Sequence, residues 1–213
     1  FRDAGHVLGS AIIEIWLENS DKNGKGKKIV FSGDLGDPPA PLLRPTEFIK
    51  EADYVLIESA YGDRIHETRA ERRDLLEDAI EDVVASNGVL LIPSFALERT
   101  QEILYELNGL VENRRISRLP VFVDSPLAIK LTEIYKKHQD YFNQEAAYLI
   151  KSGDDLFKFP GLKMTRTTAE SRQINDVSPP KIIIAGSGMS TGGRILHHEK
   201  RYLADPKNTL LFV

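Results

Sequence analysis

Two short stretches near the start of the chain put an ionisable side chain on a glycine-flanked corner. One is Asp3-Ala-Gly-His-Val-Leu-Gly-Ser-Ala11, with His6 between Gly5 and Gly9, and the other is Phe31-Ser-Gly-Asp-Leu-Gly36, with Asp34 between Gly33 and Gly36. Glycine permits the tight backbone geometry that such corners need. A neutral imidazole there can give one ring nitrogen to a metal ion while an acceptor orients the other. His6 also fits a turn residue bonded to backbone, and Asp34 fits the Asp of a turn that bonds its own main chain. Glu58 is the third candidate. It follows the apolar run Tyr54-Val-Leu-Ile57 and precedes Ser-Ala-Tyr-Gly62, at the carboxyl end of an expected buried strand, where open α/β sheets gather ligands. Capping of a helix or turn accounts for it equally well. With no Cys in the chain, a metal would rest on imidazole and carboxylate groups of the kind zinc or manganese accepts.

A different chemistry is offered by Gly186-Ser-Gly-Met-Ser-Thr-Gly-Gly193. It lies between an apolar run and an expected helix, so its N–H groups and the helix start fit a phosphate. A plain strand-to-helix turn needing glycine at positive φ fits as well. No Lys follows the last Gly, which disfavours nucleotide hydrolysis. Arg99 and Arg194 fall near helix starts, and each suits either a phosphate contact or a solvated surface position. The adjacent pair His197-His198 points in two directions on a helix, a poor chelate that reads as surface and groove residues.

The elements that must carry these groups follow from periodicity and punctuation. Ala11 to Glu18 and Ile29 to Ser32 read as strands of a hairpin across the polar turn Asn19 to Lys28, its far end delivering Asp34. Asp37 to Pro45 holds four prolines and reads as an extended loop. Glu67 to Ser86 reads as a helix with Leu76, Ile80, Val83 and Val84 on one face and Gly88 as its stop. Strands are expected at 89–92, 120–123, 182–185 and 210–213. Helices are expected from Pro93-Ser94 onward, over 126–141 and over 193–203. The stretch 153–178 reads as irregular apart from a short helix near Ala169. Strands alternating with helices argue for a mostly parallel α/β sheet, and Gly62 to Thr68 is the natural boundary.

Composition sets the outer limits. At 213 residues, 41% hydrophobic and 28% charged, the chain can build a core. A net charge of −4 argues against a strongly basic nucleic-acid binder, although a local basic groove is compatible with it. No apolar run approaches the roughly 18 residues of a spanning helix, and no membrane partner is expected. The cysteine-free composition is compatible with the cytoplasm, the expected location. The chain opens on Phe1 and closes within the apolar run Thr209-Leu-Leu-Phe-Val213, so both ends read as fragment ends.

Six motifs, taken in order, resemble the β-CASP nucleases, the RNA- and DNA-processing branch of metallo-β-lactamase-fold enzymes. They are GHVLGSA, FSGDLG, ESAYGDR, Pro93-Ser-Phe-Ala-Leu-Glu-Arg-Thr-Gln-Glu102, Val123-Asp-Ser-Pro-Leu-Ala128 and Ala185-Gly-Ser-Gly-Met-Ser-Thr-Gly-Gly-Arg194. The resemblance implies a partial metallo-β-lactamase β-layer over 1–66, followed by a β-CASP α/β domain with a mostly parallel sheet over 67–213. It makes His6 the third metal motif, Asp34 the fourth, whose carboxylate bridges two zinc ions, and Glu58 the acidic group that steadies a catalytic His further on. Ser187, Gly188, Ser190, Arg99 and Arg194 become RNA phosphate contacts. The family's HxHxDH cluster is expected upstream of residue 1, and its later His motifs beyond Val213. His66, His138, His197 and His198 match none of these. The implied protein is a zinc-dependent nuclease that hydrolyses RNA phosphodiester bonds with metal-activated hydroxide. This stretch alone would be catalytically incomplete and would hold metal weakly or not at all. RNA against DNA and exonuclease against endonuclease stay open. The alternatives are a non-catalytic nucleic-acid-binding or interaction module and a small-substrate metallo-hydrolase, which the insert motifs speak against.

Overall fold

The computed structural model describes residues 1–18 and 26–213; most of the expected hairpin turn lies outside them. Strands β1 (Arg2–Asp3), β2 (Ala11–Leu17), β3 (Lys27–Phe31) and β4 (Tyr54–Leu56) form one sheet in the order β1-β2-β3-β4. The expected pairing of β2 with β3 is antiparallel, Ile13 opposite Phe31 and Leu17 opposite Lys27, while β4 runs parallel to β3. Ala4, Ile12 and Val30 make a small core under this sheet. Tyr54, Val55 and Leu56 are more than half exposed, so the expectation of a buried strand there is not met. The apolar run is right for a strand, but β4 is the sheet's edge and its side chains remain open to solvent.

The second sheet is covered on both faces. Its strands β5 (Val89–Pro93), β6 (Val121–Asp124), β7 (Leu162–Met164), β8 (Lys181–Ala185) and β9 (Thr209–Leu210) are all parallel, in the order β7-β6-β8-β5-β9. Continuous apolar runs such as Val89-Leu-Leu-Ile92 and Ile182-Ile-Ile184 suit such two-sided burial. Leu90, Ile92, Val121, Val123, Ile182 and Ile184 face the larger core, and Leu91, Phe122 and Ile183 the smaller one.

Helix α1 (Arg69–Ser86) starts at a capping box in which Thr68 and Glu71 satisfy each other's N–H groups. It ends at left-handed Asn87, and the following Gly88 abuts the Lys207 carbonyl so closely that a Cβ would lie 1.8 Å from it. The remaining helices are α2 (Arg99–Glu112), α3 (Pro126–Lys137), α4 (Gln144–Lys151), α5 (Thr168–Gln173) and α6 (Ile195–Tyr202).

Several boundaries differ from expectation. Helix α2 begins at Arg99 and not at Ser94, because residues 94–98 fold into a loop stitched by Thr100 Oγ1 donating to the Phe95 carbonyl. Helix α3 stops at Lys137, and Gln139–Tyr141 make a single 3-10 turn. Strand β7 lies inside the stretch read as irregular, and the last strand is Thr209–Leu210, not 210–213. The proline-rich loop docks on the helical layer: Leu42 and Leu43 join the larger core, and Asn143 Nδ2 donates to the Ala40 and Pro41 carbonyls at 3.0 Å each.

Candidate metal and nucleic-acid site

The His6 corner is built by Ser10, whose hydroxyl oxygen accepts the His6 and Val7 N–H groups at 3.1 Å each. Gly5 at its start has φ +67, a value favoured by glycine. The Asp34 corner follows β3, where the Ser32 N–H reaches the Leu56 carbonyl at 2.9 Å. The corners are locked to each other: Gly36 N–H donates to the Ala4 carbonyl at 2.9 Å, and a Cβ on Gly36 would lie 1.9 Å from the Gly5 carbonyl oxygen. Only a residue without a side chain lets the two loops meet. His6 and Asp34 are thus brought to one end of the sheet, both exposed.

Glu58 joins them. Its N–H donates to Ser32 Oγ at 3.0 Å, and its carboxylate accepts the Ala60 N–H at 2.8 Å and the Leu35 N–H at 3.3 Å. Those two amides, assisted by the nearby His6 imidazole, hold the carboxyl below the usual Glu range, so Glu58 is ionised at neutral pH. Because Leu35 directly follows Asp34, Glu58 also braces the corner that carries it. An imidazole and a carboxylate are fitting donors for zinc, but a closed tetrahedral site needs four. Among the described residues no cluster of three or more His, Asp or Glu could hold a metal ion. The pair fits part of a metal centre.

The glycine-rich loop lies beyond β8. It is folded on itself: Ser187 N–H donates to the Gly192 carbonyl, Ser190 N–H to the Ser187 carbonyl, and Thr191 N–H to Ser187 Oγ. Ser190 Oγ donates to Glu199, and Gly188 lies against the Phe95 ring, where a Cβ would come within 2.6 Å. Arg99 opens α2, pairs with Glu102 at 2.8 Å and keeps 40% of its side chain exposed.

Arg194 is turned away from solvent towards Asp124. Its Nη1 lies 2.6 Å from Asp124 Oδ1, and the same guanidinium reaches the Thr165 and Arg166 carbonyls. Asp124, fully buried at the end of β6, also accepts Thr165 Oγ1 at 2.7 Å, Ser171 Oγ at 2.6 Å and His198 Nε2 at 2.8 Å. These donors outweigh the cost of burial and hold its carboxyl far below the usual range. The reading of His197 and His198 as surface and groove residues therefore holds only for exposed His197. His198 is buried, stacked on Tyr202 and bonded to Asp124. Sequence reasoning passed over Asp124 although it lies inside a quoted motif, since its partners come from three separate later segments.

With a small sheet that brings the His6 and Asp34 corners together and a second, wholly parallel α/β sheet, the chain matches the Beta-Casp domain over residues 100–213. It belongs to the β-CASP family of metallo-β-lactamase-fold proteins. It is 39% identical over its whole length to "Ribonuclease TTHA0252" of Thermus thermophilus, of which it covers 47%. It is 32% identical to the "RNase J-like protein" of Methanocaldococcus jannaschii, with 99% of this chain and 47% of that protein aligned. To the "Transcription termination factor FttA" of Methanosarcina mazei it is 28% identical, over 100% of this chain and 33% of that protein. The chain spans about half the length, or less, of these curated relatives.

Proposed function

We propose that this chain is the portion of a zinc-dependent ribonuclease that carries its third and fourth metal motifs and its β-CASP domain, divided near residues 62–68. The observation that carries the reading is the Gly36–Ala4 contact, which locks the His6 and Asp34 corners together with Glu58 beside them. The names of the relatives, two of them ribonucleases, support RNA as the substrate. Bound at this end of the sheet, a pair of zinc ions would supply Lewis-acid polarisation of a phosphate and a nucleophile drawn from water. Asp34 and His6 would be among the groups that hold the ions. Glu58, ionised and fixed by two amides, would anchor an acid–base His supplied from elsewhere in the protein. Arg99 and the loop containing Ser187, Gly188 and Ser190 would contact phosphates of the RNA strand, while Arg194 would act by fixing that loop to Asp124.

The test is RNA hydrolysis with metal content in the full-length protein. Asp34→Ala should abolish turnover and lower bound zinc while the fold survives, because Asp34 is exposed. Arg99→Ala should weaken RNA binding and reduce its salt slope by about one. Near-normal turnover with full zinc occupancy in Asp34→Ala would overturn the reading.

A further inference from the structure

Tyr135, on α3, is fully buried, and its hydroxyl joins two distant parts of the chain. It accepts the Leu8 N–H at 3.2 Å and donates to Glu98 Oε2 in a short hydrogen bond. The phenol gives its one proton to Glu98 and keeps a lone pair for the amide. Leu8 belongs to the corner that presents His6. This hydrogen bond carries that corner across to the helical layer, and the Leu8 N–H also acts directly on the Glu98 carboxylate. The corner's other ties run to its own Ser10, to Gly36 and to the 44–47 segment, where Thr46 donates to Ala4, Glu47 bonds Asp3 twice and Arg44 pairs with Asp3.

Glu98 is an unusual partner. Its backbone has φ 63 and ψ −62, and Arg99 N–H donates to the Leu97 carbonyl at 2.9 Å, which makes residues 97–99 a γ-turn. That turn is rare and strained for any residue but glycine. The side chain is 7% exposed, and its second oxygen, Oε1, is buried without a hydrogen-bond partner. Burial, with Glu102 close by, pushes the carboxyl up to about 8 although the Tyr135 hydrogen bond pulls it down. An ordinary loop before a helix needs neither the strained backbone nor the buried acid. What the two achieve together is to place one acceptor on the Tyr135 hydroxyl.

We infer that Tyr135 and Glu98 are positioning residues for the metal centre: the β-CASP helical layer sets the His6 corner through the relay Glu98–Tyr135–Leu8. The inference rests on His6 being a metal ligand, as proposed above. The relay fixes the backbone two residues beyond His6, and outer hydrogen bonds that orient a ligand typically change metal affinity 10- to 100-fold when lost.

Three variants of the full-length protein test it, read by zinc affinity in a chelator competition and by amide exchange at Leu8. Tyr135→Phe keeps the ring and its packing but loses the hydroxyl. Glu98→Gly relaxes the γ-turn and removes the acceptor, whereas Glu98→Gln keeps an acceptor oxygen. Tyr135→Phe and Glu98→Gly should weaken zinc binding about 10-fold and speed Leu8 exchange by a similar factor. Glu98→Gln should stay within about two-fold of the parent on both readings. A purely structural role would lower the melting temperature of Tyr135→Phe and leave its zinc affinity, measured well below melting, at the parent value; that result overturns the inference. His6→Ala separates the two claims. If it binds zinc like the parent, the metal reading of His6 fails, and unchanged Leu8 exchange in Tyr135→Phe would then refute the relay itself.

Discussion

Asp124 is where a single substitution should be most costly. Its two oxygens accept four donors: Oδ1 takes Thr165 Oγ1 and Arg194 Nη1, and Oδ2 takes Ser171 Oγ and His198 Nε2. In Asp124→Asn the amide NH2 cannot occupy the Oδ1 position, since guanidinium is a donor only. It must take the Oδ2 position, where Ser171 can turn to accept and His198 can change tautomer. The geometry therefore survives with Arg194 kept on a neutral acceptor, and the loss is the carboxylate charge's share of that bond, about 1 kcal/mol. Asp124→Ala removes every acceptor at once and leaves Arg194 without its carboxylate partner beside a buried His198. Breaking a buried ion pair from one side costs about 3–5 kcal/mol. Equilibrium urea unfolding at pH 7 would rank the variants as parent, Asn, Ala. Because the Asp124 carboxyl titrates below its ordinary value of 3.8, its contribution is complete at every pH above that value and is lost only as pH falls below it. A loss under 1 kcal/mol for Asp124→Ala, or Asn less stable than Ala, would refute the reasoning.

Two other perturbations follow from the site. Gly36→Ala would force a Cβ to within 1.9 Å of the Gly5 carbonyl oxygen and 2.9 Å of the His6 nitrogen, all backbone atoms. It should cost about 1–3 kcal/mol and weaken metal retention, while Gly192→Ala, with open space around it, should be silent in the same melting and metal assays. Glu98 titrates near 8 in the folded chain against an ordinary 4.5, with Tyr135, Glu102 and Arg99 facing it. The folded state therefore holds a proton that the unfolded state releases, and stability should fall as pH rises from about 4.5 to about 8, by up to about 1.4 kcal/mol per unit. Glu98→Gln should flatten that slope in urea unfolding between pH 5 and 8; equal slopes would remove Glu98 as its source.

The sequence shows its chemistry best where one short motif does the whole job. The His6 and Asp34 corners are legible as turns because glycines flank both residues, and the Gly5–Gly36 contact explains why those glycines are needed. The parallel sheet is legible because strands such as 89–92 and 182–184 are apolar throughout. Asp124 and His198 are not, since a hub with donors at 165, 171, 194 and 198 exists only after the crossovers have closed. Glu98 is hidden for a different reason. In the string Leu97-Glu-Arg-Thr-Gln-Glu102 it reads as one more exposed helix residue, and nothing local announces the γ-turn that buries it. Strand β7 is three residues long, and its Leu-Lys-Met alternation is too short to stand out from irregular chain. Leu42 and Leu43, in a loop read as merely extended, belong to the main core because the proline-rich segment pairs with residues 141–143 between α3 and α4.

The open edge at β4 also governs how this stretch behaves in solution. Tyr54, Val55, Leu56 and Ile57 stand side by side, each more than half exposed, on a strand whose outer rim pairs with no other strand among the described residues. Such an edge is a template for strand addition, and a contiguous apolar strip on it favours self-association. Handled alone at high concentration, the chain should associate through this rim. A lysine in place of Val55 would blunt that stickiness without touching the His6 or the Asp34 corner.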